Sequence, residues 1–252
     1  MNKNLFRNLL IFFLIVLILS GCFSDSKNQQ KLPDLLTLIP DSADVFIKII
    51  PVKSEIALKL ESLGLVDIKD IDNTIEVDLI YSTTENFTGQ ILYEGLSEAY
   101  FQQDVAVKLS NAQKYLQDTL SGAKLLIYDA ARPLSVQKAM WENVKNSRYR
   151  NYVANPDRTS LHNYGVAVDL TIIDSNGMPL DMGTPIDFFG KAAGNYDEIL
   201  ILEGLITPQH SQNRQLLQFV MKKAGFYSIP GEWWHFNACS LYEAKQKYNI
   251  IE

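Results

Sequence analysis

The sequence is poor in cysteine and histidine, with two cysteines and three histidines among 252 residues. Cys22 falls in an N-terminal segment whose sequence indicates that this cysteine is lipidated, so Cys239 has no partner for an intramolecular disulfide. This excludes a small fold held together by disulfides. We expect Cys239 to be a small buried apolar residue rather than a reactive thiol.

Clusters of basic residues are missing as well. The formal net charge is −6 and the sequence pI is about 5.2. Without a basic stripe, nucleic acid is not an expected partner. Hydrophobic residues make up 47% of the chain and charged residues 21%, a balance that is typical of a globular protein with a buried core.

The longest apolar run, residues 9–19, is too short to span a bilayer comfortably. It follows a positively charged start and ends in LSGC at 19–22, which resembles the cleavage site of bacterial lipoproteins. We therefore expect residues 1–22 to be a lipoprotein signal peptide with Cys22 as the lipidated residue. The domain would then lie outside the cytoplasm as a membrane-anchored lipoprotein, in the periplasm or at the cell surface. An uncleaved anchor helix is the alternative.

The remaining chain divides into an extension and one domain. Residues 23–35 are polar and aperiodic, which is typical of a tether. A helix is predicted over 54–63, ended by Gly64. We assign residues 23–64 to the tether and N-terminal extension, and residues 65–252 to the main domain.

Helical and strand patterns do not alternate regularly in this domain. Strands are predicted at 75–81, 124–128, 166–173 and 232–236, and helices within 98–120, from a cap at Ser135 to Val144, and over 213–224. This order favours an α+β fold, a single domain with a largely antiparallel sheet flanked by helices.

The stretch SLHNYGVAVDL at 160–170 contains the first candidate metal ligands, His162 and Asp169. Alternation along the predicted strand puts Asp169 on the same face as the small residues Ala167 and Thr171. A lone buried carboxylate is costly, and a metal ion would offset that cost. A core aspartate bonded to backbone amides is the alternative.

A second stretch, GEWWHF at 231–236, adds Glu232 and His235. Two imidazoles and one carboxylate are the ligands of a catalytic zinc site with an open position, and Glu232 would be the base. Residues three apart on a regular strand face opposite sides. A local turn after Pro230 is therefore needed to bring Glu232 over the metal.

Two other charged or titratable residues, Arg132 and His210, are further candidates for the site. Arg132, in the turn DAARP, could hold an oxyanion or a substrate carboxylate. The third histidine, His210, lies in a polar stretch and is expected in an exposed loop without a metal.

The pattern S-x-H-x-x-G-x-A-x-D at 160–169, followed by E-W-W-H at 232–235, resembles the D-alanyl-D-alanine dipeptidases. These are zinc peptidases of the M15 group, related to the D,D-carboxypeptidases. The resemblance covers roughly residues 65–240. It implies one Zn²⁺ per chain and the following roles: His162, Asp169 and His235 as ligands, Glu232 as catalytic base, and Arg132 as transition-state stabiliser.

The same resemblance implies contacts with a small D-amino-acid peptide. Ser160 would meet the substrate carboxylate, and Asp187 and Tyr81 would lie near its free amine. The run DAARP departs from the family, which usually has an aromatic residue there. We expect hydrolysis of D-Ala-D-Ala or a similar D,D-dipeptide in cell-wall peptide turnover. The alternatives are a D,D- or L,D-carboxypeptidase that trims peptidoglycan stems, and a non-catalytic zinc-containing lipoprotein that binds the cell wall.

Overall fold

The structure, a computed structural model, describes residues 53–252. The predicted signal peptide, Cys22 and most of the predicted extension lie outside these residues, so those predictions stay predictions. Within residues 53–252, no helix is both long enough and apolar enough to cross a bilayer.

Helices and strands follow one another without regular alternation. The helices are α1 Glu55–Ser62, α2 Ile68–Ile71, α3 Gln103–Thr119, α4 Leu134–Val144, α5 Asp197–Leu202, α6 Pro208–Lys223 and α7 Leu241–Lys247. The strands are β1 Val66–Asp67, β2 Glu76–Val77, β3 Tyr100–Phe101, β4 Lys124–Asp129, β5 Ala167–Ile173, β6 Tyr227–Ile229 and β7 Glu232–Asn237.

The main sheet has five strands in the order β2-β4-β5-β7-β6. Only the β2–β4 pair is parallel, and the other three neighbouring pairs are antiparallel. β1 and β3 form a separate antiparallel pair. The predicted α+β fold with a largely antiparallel sheet is therefore confirmed.

The main core contains apolar side chains from the sheet and from the helices α3 and α6. Leu109 and Leu116 on α3 and Leu217 on α6 are fully buried, as is Leu125 on β4. Each such side chain contributes about 2 kcal/mol through burial. This packing fixes the sheet from which the polar site is built.

The core also includes α1, which the sequence analysis placed in the N-terminal extension. Ser54 caps this helix by accepting a hydrogen bond from the Ala57 N–H at 3.1 Å. Gly64, with φ +83°, follows the end of the helix in a left-handed conformation. Ala57 and Leu60 are buried in the main core, so α1 packs as part of the folded domain.

Two predicted element boundaries are wrong. The strand predicted over 75–81 pairs only at Glu76–Val77, and residues 80–82 form a 3₁₀ turn instead. Helix α4 begins at Leu134 with Pro133 as its N-cap, so Ser135 lies inside the helix and does not cap it. Proline suits this start because it has no N–H to leave unpaired.

The exposed loop predicted around His210 is instead the first turn of α6. Thr207 and His210 form a reciprocal capping box, with Pro208 at the first helical position. His210 Nε2 also lies 3.2 Å from a carboxylate oxygen of Asp181. This histidine is thus partly buried and has a local structural role.

Candidate metal centre and active site

Two adjacent strands and one turn bring the predicted metal ligands together. Asp169 on β5 lies directly opposite His235 on β7, and His162 lies on a 3₁₀ turn just before β5. His235 Nδ1 is 2.8 Å from Asp169 Oδ1, and His162 Nε2 is 3.4 Å from Asp169 Oδ2. Within residues 53–252, these three are the only group of His, Cys, Asp or Glu side chains arranged to hold a metal ion.

The turn that carries His162 is closed at both ends by local chemistry. Ser160 and Asn163 form a capping box at its start. Gly165 ends it with φ +68°, and a Cβ at this position would lie 2.8 Å from Leu65 Cδ2. Glycine is therefore required here by both the backbone conformation and the close packing.

In each histidine ring, the outer nitrogen is the one that faces away from the other histidine. Both outer nitrogens already have hydrogen-bond acceptors. His162 Nδ1 lies 2.7 Å from the Ala130 carbonyl oxygen, and His235 Nε2 lies 2.9 Å from Asn237 Oδ1. Each outer nitrogen must therefore carry the proton, which leaves a lone pair on the inner nitrogen of each neutral ring. The two inner nitrogens face each other at 3.3 Å beside a carboxylate. This donor set fits a divalent cation.

Charge is strongly coupled in this group of ligands. Burial alone would lower the pKa of His235, but the Asp169 carboxylate outweighs it and raises that pKa to about 9. Burial opposes ionisation of Asp169, yet the two imidazoles hold its pKa well below the usual range. The aspartate is therefore an anion that needs positive charge beside it.

Arg132 lies next to the ligands and is held by two neighbours. Its Nε donates to Asp129 Oδ2 at 2.9 Å, and its Nη1 donates to Gln137 Oε1 at 2.7 Å. Nη2 also bonds Asp129 and lies 3.8 Å from Asp169 Oδ2. Burial lowers the pKa of the guanidinium, but the Asp129 carboxylate more than compensates, so that pKa lies above its ordinary value. Arg132 is a fixed cation.

Main-chain bonds connect the arginine segment to the histidine turn. The Arg132 N–H donates to the His162 carbonyl at 3.0 Å, and Asn163 Nδ2 donates to the Arg132 carbonyl at 2.9 Å. Ile251 joins both segments, since its N–H donates to the Asn163 carbonyl and its own carbonyl accepts from the Leu134 N–H. The ligand and the cation therefore sit on one rigid unit.

Sequence reasoning missed several residues that build this unit. Asp129 was assigned to a turn, yet it is fully buried and also accepts a hydrogen bond from Tyr93. Gln137 and Asn163 were not singled out. An aspartate three residues before a candidate functional arginine was the available signal for Asp129. The roles of Gln137 and Asn163 can be recognised only in the folded structure.

Glu232 opens β7 and lines the same cavity as the three ligands. The β6–β7 ladder pairs Ser228 with Phe236 and then shifts, so that Ile229 pairs with Glu232. The predicted local irregularity is thus an interruption of the hairpin register. Burial raises the pKa of Glu232 to about 7, which suits proton exchange near neutral pH.

The three predicted substrate contacts lie in this cavity too. Tyr81 donates a hydrogen bond to Asp187 Oδ2 at 2.7 Å, and Ser160 lines the wall near His162. Asp187 has φ +58°, a left-handed conformation that aspartate tolerates better than most residues. Burial raises its pKa to about 7 even though the Tyr81 hydrogen bond acts in the other direction.

Three aromatic side chains from separate segments, Phe87, Tyr152 and Phe189, line the cavity, whose volume is about 250 Å³. The Phe189 ring lies 5.0 Å from the Phe87 ring, 5.3 Å from the Tyr149 ring and 4.9 Å from the Tyr152 ring, measured between centroids. Ala131, in the run that departs from the family, is buried and does not line this wall. The aromatic wall is therefore supplied by other segments.

Comparison with known proteins agrees with this site. The M15 peptidase family model, described as D-ala-D-ala dipeptidase, matches residues 61–250. The chain belongs to this family. The D-alanyl-D-alanine dipeptidase of Escherichia coli is 33% identical over 176 residues, which are 70% of this chain and 85% of that protein. Membership confirms the predicted family and identifies the protein as a peptidase.

Two further relatives have the same name at lower identity. The D-alanyl-D-alanine dipeptidase of Synechocystis is 29% identical over 176 residues, covering 58% of this chain and 71% of the relative. That of Enterococcus faecium is 26% identical over 192 residues, covering 69% of this chain and 91% of the relative. The matches thus extend over most of each relative's length.

Proposed function

We propose that this protein is a zinc-dependent dipeptidase that hydrolyses D-Ala-D-Ala or a similar D,D-dipeptide during the turnover of cell-wall peptides. One observation carries the proposal. Two imidazole lone pairs and a carboxylate converge at one wall of a cavity that also contains Glu232 and Arg132. The names of the relatives support the choice of substrate.

His162, Asp169 and His235 would hold one Zn²⁺, since a two-imidazole, one-carboxylate set with an open position is a catalytic zinc arrangement. When bound, zinc supplies Lewis-acid chemistry that lowers the pKa of a water molecule and polarises a peptide carbonyl. The Ala130 carbonyl and Asn237 fix the two rings in the tautomers that binding needs.

Glu232 is the proton carrier in this proposal. A carboxyl group whose pKa is about 7 accepts a proton and releases it again at neutral pH. Glu232 takes a proton from the water that attacks the peptide carbonyl. It then delivers the proton to the nitrogen of the leaving amine.

Arg132 stabilises the negative charge that develops on the carbonyl oxygen. Asp129 and Gln137 hold its guanidinium before the substrate arrives, so little reorganisation is needed during the reaction. Its position 3.8 Å from Asp169 keeps this charge close to the three ligands.

Asp187 and Tyr81 form the proposed site for the free amine of the substrate, and Ser160 meets the carboxylate. The Asp187 carboxyl, bonded to Tyr81, is an anionic partner for an ammonium group once it ionises. A site that requires a free amine favours a dipeptide over the end of a longer chain. This favours a dipeptidase over a carboxypeptidase.

The test is hydrolysis by the full chain, purified in detergent and loaded with zinc. D-Ala-D-Ala is compared with L,D- and L,L-dipeptides, and with a tripeptide whose amine is blocked. We expect release of D-Ala from D-Ala-D-Ala alone. Glu232→Gln should leave only a small residual turnover while retaining zinc, and the exposed Glu85→Gln is the matched control.

Each other outcome points to a different function. Faster cleavage of the blocked tripeptide would make the protein a carboxypeptidase. Zinc bound without turnover of any peptide with D-amino acids would leave a binding protein. Full activity of Glu232→Gln would eliminate the proposed role of this residue.

We also propose that the domain is anchored outside the cytoplasm by a lipid on Cys22. The proposal is supported by the apolar run 9–19 and the sequence LSGC at 19–22. Cells grown with a labelled fatty acid should incorporate the label into the wild-type chain and not into Cys22→Ser. Label retained in that variant would refute lipidation at this cysteine.

A further inference from the structure

The β6–β7 hairpin, whose second strand begins at Glu232, is irregular. Trp233, Trp234 and His235 lie between the β7 residues that pair with Ser228 and Ile229 of β6. At this shift in register, the carbonyl groups of Ile229 and Glu232 both accept a hydrogen bond from a donor outside the hairpin.

Asn195 supplies that donor. Its Nδ2 donates to the Ile229 carbonyl at 2.6 Å and to the Glu232 carbonyl at 3.0 Å. The Asn195 main-chain N–H also donates to the Pro230 carbonyl at 2.9 Å. One residue thus joins both ends of the β6–β7 connection by three hydrogen bonds.

Helix α6 fixes the orientation of the Asn195 amide. Gln218 Nε2 donates to Asn195 Oδ1 at 2.9 Å, which directs the amide nitrogen toward the hairpin. One turn earlier, the fully buried Arg214 donates to the Ala192 and Gly194 carbonyls at 2.9 and 3.1 Å. The same helix therefore holds both the Asn195 side chain and the backbone before it.

The close approach of this segment to the hairpin depends on glycine. A Cβ added at Gly194 would lie 3.2 Å from the Pro230 carbonyl oxygen. A larger residue there would separate Asn195 from the hairpin. The contact between the two segments is tight as well as hydrogen-bonded.

We propose that Asn195 is a positioning residue for Glu232. Asn195 holds the Ile229–Glu232 end of the hairpin in an irregular register, and this register turns the Glu232 carboxylate toward the three candidate ligands. Gln218 fixes the orientation of the Asn195 amide. The inference rests on the proposed role of Glu232 as the base. Asn195 touches neither substrate nor metal and acts through the Glu232 backbone.

The experiment compares Asn195→Ala and Gln218→Ala in the full chain, purified in detergent and loaded with zinc. The control is Gln215→Ala, because Gln215 lies on the same helix and bonds only Ser211. We expect kcat for D-Ala-D-Ala to fall about 10- to 100-fold in Asn195→Ala, since displacement of a reacting group by about 1 Å has this effect. KM, zinc content and the kcat of the control should stay near wild type.

A double-mutant cycle with Glu232→Gln separates positioning from general destabilisation. If Asn195 acts through Glu232, adding Asn195→Ala to Glu232→Gln should cause no further loss of the residual activity. Independent, multiplicative losses would overturn the inference. A zinc-loaded Asn195→Ala enzyme with wild-type kcat would overturn it too.

Two further arms complete the design. If Asn195→Ala does not fold, Asn195→Asp is measured instead, because it keeps the size of the side chain and replaces the donor with an oxygen. Its kcat should fall in the same way, and a wild-type kcat would refute the inference.

If Glu232→Gln keeps full activity, the proposed function of Glu232 fails along with the inference. If Asn195→Ala keeps wild-type activity while Glu232→Gln loses it, the inference about Asn195 fails and the proposed function of Glu232 stands.

Discussion

His162 Nε2 and His235 Nδ1 lie 3.3 Å apart, and while both rings are neutral neither nitrogen has a proton to offer the other. The protons are on the far sides of the rings, where Ala130 and Asn237 accept them. Two lone pairs at this distance repel each other unless a cation lies between them or one ring takes up a second proton. In the metal-free protein the His235 ring takes up that second proton, because the Asp169 carboxylate raises its pKa to about 9, and a bound cation would replace the proton.

Removal of the metal should consequently lower stability. A ligand that binds only the folded state at 100 times its dissociation constant adds about 2.7 kcal/mol. We expect zinc to raise the unfolding temperature and EDTA to reverse the effect, measured by differential scanning calorimetry. Asp169→Asn should not respond to zinc, whereas His210→Ala, at the third histidine, should respond as wild type does. An equal response from Asp169→Asn would contradict the assignment of the ligands.

Replacing Arg132 by lysine should strongly reduce activity although the positive charge is retained. Lysine cannot bond Asp129 and Gln137 as the guanidinium does. We expect kcat for D-Ala-D-Ala to fall about 10²- to 10³-fold, the usual effect of losing an oxyanion donor. Arg158→Lys, at an exposed position, is the control. Steady-state kinetics at saturating zinc would check this, and an active Arg132→Lys enzyme would exclude the proposed role.

Asp187→Asn should change the pH dependence of stability. Because the pKa of Asp187 in the folded protein is raised to about 7, its contribution to stability is present at acidic pH and is lost as the pH rises through 7. The asparagine variant has no such loss. In EDTA, its free energy of unfolding should exceed that of wild type by about 2 kcal/mol more at pH 8 than at pH 4.5. Urea unfolding at both pH values measures the change, and a constant difference would refute it.

Gly165→Ala should destabilise the turn that carries His162. A Cβ would lie 2.8 Å from Leu65 in a left-handed backbone conformation, and we expect a loss of about 2 kcal/mol or more. Gly177→Ala is a matched control, since its φ is +81° but nothing lies within 4 Å of the added atom. That variant should lose only about 1 kcal/mol. Equal losses in urea unfolding would exclude a packing role for Gly165.

The sequence predicted the grouping of His162, Asp169 and His235 because the chemistry of a metal site allows few residue types. Only three histidines are present, and the motif spacing around His162 and Asp169 is restrictive. The strand over 166–173 follows from alternation, and it places Asp169 opposite His235. Short-range patterns were sufficient for these features.

Other features depend on contacts between distant segments and were not predictable from local patterns. The hairpin register before Glu232 depends on Asn195, which is 37 positions earlier in the chain. The strand predicted over 75–81 ends early, and Tyr81 instead bonds Asp187, 106 positions away. The start of α6, in contrast, could have been predicted from the local sequence. Thr207 followed by Pro208 is a local helix-start signal that the periodicity analysis did not use.

The aromatic side chains at the cavity and the three candidate metal ligands are carried by different parts of the chain. Phe87, Tyr152 and Phe189 come from three loops, whereas two of the ligands lie on adjacent strands of the sheet. Mutations in those loops can alter which peptides enter while the ligands stay in place. Divergence of specificity within one lineage could thus proceed by loop substitution, with the hydrolytic chemistry inherited intact.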